Sequence, residues 1–174
     1  TDAYIKVNAV LERIEKVVVV FLMLAIVLVV FIGTLSRYVW NEPIFGIDRL
    51  GTYLMVWLGF IGFQIATSKI RHIEVEFIKA RLKPSAKYLL NIIVSIVASG
   101  VLIIFGILSY QYTKISFEFK DMDTVIHLPM WLIISIIPFS FFISSVRFLF
   151  IALLWHDVRT GRRAETDIVK KQLI

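Results

Sequence analysis

The chain has no cysteine, which removes disulfides, thiolate metal sites and cysteine nucleophiles but does not fix the compartment. Histidine is scarce, with only His72, His127 and His156. His127 and His156 would stand about 43 Å apart on one helix, too far to clamp a haem between them. His72 faces neither of them from inside an apolar run. The long apolar runs hold no acidic side chain, and no phosphate loop, Ser/His/Asp set or metal-ligand spacing occurs. Enzymatic chemistry is not expected, nor is a metal or a cofactor. A self-sufficient proton- or sodium-coupled carrier is equally hard to build here, because such pathways place ionisable groups or unwound backbone at mid-depth. An accessory or scaffold subunit remains; the alternative is the membrane anchor of a redox complex.

Uncharged apolar length is abundant. Val17 to Ser36, Leu50 to Ser68, Tyr88 to Thr113 and Thr124 to Val146 run for 20, 19, 26 and 23 residues without a charge. At about 1.5 Å per residue each can cross a hydrocarbon core roughly 30 Å thick. The hydrophobic fraction of 59% and mean hydropathy of +0.84 agree. The predicted fold is an all-α membrane protein, one domain over 1–174, with spans near 17–36, 48–68, 88–113 and 127–155. The first run is too long for a signal-peptide core and lacks a small-residue cleavage site, so it is read as a retained helix.

Charge sets the predicted orientation. Fourteen Lys and Arg residues lie in the N-terminal tail, the middle connection and the C-terminal tail. The other two connections hold Arg37, Arg49, Lys114 and Lys120, together with Glu118, Asp121 and Asp123. Basic short loops stay cytoplasmic, so both termini are expected there. The net charge of +6 is then matched to anionic lipid rather than to nucleic acid.

Two short amphipathic segments are expected at the interface. One is 2–16, with Val7, Val10, Leu11 and Ile14 at helical spacing, and the other is 70–83, for which an ordinary basic loop is the alternative. After Ser36, Trp40 suits a membrane interface, and Asn41-Glu42-Pro43 is turn chemistry. Gly59, Gly62 and Ala66 share one helical face, where small residues favour close packing. Gln64 is expected to bond between helices, and Asn91, Ser95 and Ser99 form a polar stripe suited to the same task. Pro138 should bend the fourth helix. Arg147 lies within apolar sequence and needs either lipid phosphate or a group from a partner subunit.

The run RYVWNEPIFGIDRLGTYLMVWLGFIG resembles the signature of the small membrane subunit, DctQ-like or SiaQ-like, of tripartite ATP-independent periplasmic (TRAP) transporters. Arg37, Tyr38, Asn41, Pro43, Ile44, Asp48, Tyr53 and Trp57 carry the likeness. His72, Ile73, Val75 and Glu76 match a later motif, and Leu128, Pro129, Trp131 and Pro138 match the start of the fourth span. Gly46, Arg49 and Thr52 depart from the family pattern, which often has Trp, an acid and a basic residue there. The resemblance implies a bacterial inner-membrane complex with a large membrane subunit and a periplasmic solute-binding protein. It implies sodium-driven uptake of organic acids such as C4-dicarboxylates, keto acids or sialic acid, with solute and sodium sites in the large subunit. Trp40, Glu42, Asp48, Arg49, Glu118, Asp121 and Asp123 become candidate contacts for the binding protein.

The orientation is testable because single cysteines enter a cysteine-free background. Ser85→Cys and Thr166→Cys are expected to react only from the cytoplasmic side, and Glu42→Cys and Asp121→Cys only from outside. Labelling of Ser85→Cys in intact cells by an impermeant maleimide contradicts the charge rule.

Overall fold

The computed structural model describes residues 2–68 and 84–160, with side chains from 7–68 and 86–160. The expected interfacial segment 70–83 and the basic tail after residue 160 lie outside the described residues. The helices are α1 (Asp2–Val39), α2 (Ile47–Ser68), α3 (Pro84–Glu118), α4 (Met130–Ile134) and α5 (Ile136–Arg159). Four helical stretches are long and apolar enough to cross a membrane, with α4 and α5 together making the fourth.

Residues 2–16 are not a separate surface helix but the first turns of α1. This helix runs 38 residues, about 57 Å. Its first 31 positions contain no glycine or proline, so nothing local stops it between surface and span. The Lys16–Glu12 ion pair, 2.7 Å and four residues apart, supports the helix just before the uncharged run begins at Val17.

The helices are not equally central. α2 packs on both α1 and α5, and α5 sits between α2 and α3. The most apolar window of α4–α5 is 44% buried, against 11% for α1, so α5 is the hub and α1 hangs mainly from α2. One apolar cluster joins Leu22, Ile61 and Ile136, with Val18, Leu54 and Trp57 around it. Another gathers Ile151, Leu154, Trp155 and Val158 of α5 against Tyr88 and Ile92 of α3. Between them Phe141 packs with Phe60, Phe63 and Phe105 at centroid separations of 5.8, 6.1 and 5.8 Å.

The connections 40–46 and 119–129 meet at one end, the loop end. α1 stops where Asn41 turns left-handed (φ 54°) and the Glu42 amide reaches back to the Ser36 carbonyl at 3.3 Å. α3 stops in a similar way at Lys120, whose own amide and that of Asp121 bond to Phe117 and Ser116. Ser135 separates α4 from α5 because Pro138 has no N–H to offer Ile134. At that bend Trp57 Nε1 donates to the Ile133 carbonyl at 3.1 Å.

Gly46 ties the two connections together. Its φ is +84°, and a β-carbon there would collide with Ile126 Cγ2. Gly46→Ala is expected to lower thermal stability in detergent by at least about 1–2 kcal/mol, the backbone cost of a left-handed alanine, and more from the displaced Ile126. Gly59→Ala, where an added carbon meets nothing within 4 Å, is expected to leave it unchanged or slightly raised.

Candidate functional site

Along α2, residues 53, 57, 64 and 67 share one face, and each reaches the segment 123–144. Tyr53 donates its hydroxyl to Asp123 Oδ2, and Trp57 holds the Ile133 carbonyl. Gln64 Nε2 donates to Ser140 Oγ at 2.7 Å, and Thr67 Oγ1 to Ser144 Oγ at 3.1 Å. The two chain segments run parallel, so a regular spacing on one meets a regular spacing on the other. On the far side of α5, Ser145 and Ser99 share hydroxyl and carbonyl bonds at 2.9 to 3.3 Å, tying in α3. Gln64, Ser99, Ser140 and Ser144 are all under 2% exposed.

The seam ends on a buried charge pair. Arg147 Nη1 donates to the Gln64 carbonyl, and Nη2 to Glu15 Oε1 at 2.8 Å. Their side chains are 3% and 6% exposed. Arg147 lies about 26 Å along from the start of α4, close to the inner boundary of a core roughly 30 Å thick. The group expected to come from lipid or a partner subunit is supplied here by Glu15 of the same chain. Sequence reading missed Glu15 because it was assigned to a surface helix. The signal was present: Leu11, Glu15, Val18 and Leu22 lie on one face of α1, and Glu15 and Leu22 are both buried. Glu15 Oε2 and Arg147 Nε are buried without hydrogen-bond partners among the described residues.

The loop end carries the other candidates. Trp40, Glu42, Arg49 and Asp121 are exposed. Asp48 is exposed and pairs with Arg37 at 2.8 Å, and Glu118 lies 3.6 Å from Lys114. Asp123 differs. It is 7% exposed, with Oδ1 receiving the amides of Val125 and Ile126 at 2.8 Å each and Oδ2 receiving Tyr53. The Tyr53 hydroxyl first, then the amides, with a smaller pull from Arg49, hold its carboxyl below the ordinary value, so it stays ionised inside the turn. Asp123 is a bracket for the turn and not a surface contact. The sequence clue was Asp followed by a tight turn, but its partner lies 70 residues away.

Comparison with known proteins decides the class. The sequence model of the family described as "Tripartite ATP-independent periplasmic transporters, DctQ component" matches residues 26–160. The chain belongs to this family. It is 20% identical over 147 residues to the ectoine TRAP transporter small permease protein TeaB of Halomonas elongata, covering 84% of this chain and 76% of that one. It is 29% identical over 66 residues to a putative TRAP transporter small permease protein of Haemophilus influenzae, covering 38% and 41%. It is therefore a multi-pass inner-membrane component of a TRAP transporter and not an enzyme. The redox-anchor alternative gives way to this match. His127 stands in the loop-end turn and His156 in the last turn of α5, at opposite ends of the bundle.

In this TRAP subunit the packing residues divide. Gln64 and Ser99 bond between helices, whereas Asn91 carries a buried Nδ2 without a partner, and Ser95 is buried. Gly59 and Gly62 meet no neighbour within 4 Å and Ala66 is exposed, so that face packs on nothing among the described residues. The small side chains were expected to admit a neighbouring helix, but α1 and α5 occupy the other two sides of α2.

Glu15→Leu or Arg147→Met alone is expected to destabilise the subunit in detergent by about 3–5 kcal/mol, because each strands a buried charge without its partner. The double replacement Glu15→Leu with Arg147→Met is expected to recover most of that loss. Additive losses in the double variant would show that the two residues do not act as a pair.

Proposed function

We propose that this subunit is a fixed scaffold in a sodium-driven TRAP importer of organic acids, of the C4-dicarboxylate, keto acid or sialic acid class. The carrying observation is that its buried side chains bond mostly to one another. Tyr53, Trp57, Gln64, Thr67, Ser99 and Arg147 are spent on neighbouring segments of the same chain, which suits a rigid support more than a passage for solute. The large membrane subunit then carries the solute and sodium sites, and membrane lipid covers the remaining apolar surface. Ectoine belongs to the name of a relative only 20% identical and does not guide the choice of solute here.

The exposed loop-end residues Trp40, Glu42, Asp48, Arg49, Glu118 and Asp121 form the proposed landing surface for the periplasmic binding protein. Reconstituted without the large subunit, the chain is expected to give no sodium-dependent uptake; with it and with binding protein outside, uptake appears. Glu42→Lys and Asp121→Lys are expected to lower uptake most when binding protein is scarce, since rim charges act mainly on encounter. Uptake unchanged by these reversals at every binding-protein concentration would remove the landing role and leave the scaffold alone.

A further inference from the structure

One cleft lies apart from the seam and the charge pair. It lies between α1 and α2 below the loop end and has a volume of about 240 Å³. Val29, Val30 and Met55 line its deeper part, Gly51 adds no side chain, and Arg37 and Asp48 stand at its mouth. Arg37 is two residues from the end of α1, and Asp48 is the second residue of α2, so both sit at headgroup depth. Val29 and Met55 lie about 10–12 Å further along their helices, within the hydrocarbon. A charged mouth over an apolar slot has the layout of a phospholipid.

The mouth also selects a headgroup. Arg37 Nη2 bonds Asp48 Oδ2 at 2.8 Å, with the side chains 53% and 80% exposed. That bond occupies one N–H of five on the guanidinium and one carboxylate oxygen, so both groups can accept a ligand beside it. Positive and negative charges side by side complement a zwitterion. Arg37 matches the phosphate through its forked N–H groups, and Asp48 matches a primary ammonium, which donates N–H bonds that a quaternary ammonium lacks.

We infer that the α1–α2 cleft is a phospholipid site that prefers a phosphoethanolamine headgroup, with phosphate on Arg37, ammonium on Asp48 and an acyl chain along Val29, Val30 and Met55. Past Met55 the same strip of α2 presents Gly59, where no side chain obstructs the tail.

The test counts lipids retained by the full-length subunit. The protein is extracted from its membrane in mild detergent, delipidated, and offered phosphatidylethanolamine or phosphatidylcholine at equal mole ratio. Native mass spectrometry then reads the bound lipid. Wild type is expected to keep the ethanolamine lipid in preference to the choline lipid. Arg37→Gln is expected to lower retention of both by about tenfold, as for one lost charge-assisted hydrogen bond, and Arg37→Lys to restore much of it. Asp48→Asn is expected to abolish the preference while leaving choline-lipid retention as it was. Thermal unfolding of each variant separates lost lipid from lost fold. Equal retention of the two lipids by wild type, or Arg37→Gln and Asp48→Asn variants that unfold like wild type and retain lipid like it, would overturn the assignment. So would cross-linking of Thr52→Cys to a helix of a co-purified large subunit with no lipid retained, because that outcome gives the cleft to protein.

Discussion

The contact between Arg147 and Glu15 organises the rest of the bundle. A charged arginine costs about 2.5–3.5 kcal/mol at the centre of a membrane helix on insertion scales and less toward the inner boundary where Arg147 lies, and a lone carboxylate is similarly unwelcome. Bringing the two together at 2.8 Å, with the Gln64 carbonyl as a further acceptor, removes most of that cost and joins three helices at one point. Such a pair contributes less to net stability than an apolar replacement could, so its main effect is on arrangement. It sets how far α1 slides along α5, a register that apolar side chains alone leave loose. Lipid tails are as apolar as leucine, so in a membrane hydrogen bonds and close packing have to choose among alternatives.

The seam of Tyr53, Trp57, Gln64 and Thr67 extends that choice along the whole length of α2. Its outer member brackets the 123–128 turn through Asp123, and its middle member meets the bend that Pro138 imposes. The bend is stabilised by a partner helix, which is how membrane helices tolerate proline. Support of this kind fits the fixed-scaffold role proposed for this TRAP subunit. The opposite side of α2 has another character. Among the described residues Gly59 and Gly62 face nothing, and the Arg37–Asp48 cleft sits above them. A helix buried on two sides and open on the third has its remaining contacts with lipid or with another chain.

Much of this molecule was legible along the chain. Apolar length against bilayer thickness yields four spans, and the motif from Arg37 to Trp57 is similar enough to the TRAP small subunit to suggest the family that the match over residues 26–160 established. Gln64 stood out because a strong hydrogen-bonding side chain in an apolar run has few alternatives to a neighbouring helix. These inferences worked because they rest on local properties: hydropathy, proline chemistry, and the cost of a polar group in lipid.

Pairing was decided only in three dimensions. Arg147 needed an acid, but nothing in its own helix says that the acid is 132 residues earlier on a segment that reads as a surface helix. Asp123 reads as an exposed loop acid until Tyr53, 70 residues away, turns it inward. Gly59 and Gly62 read as a packing face, but which helix packs there is not written in their own helix, and among the described residues that side has no neighbour. Sequence by itself determined how many times the chain can cross a membrane, because span length and hydropathy are properties of consecutive residues. Which buried group meets which depends on contacts between distant segments, and only the tertiary structure decided that.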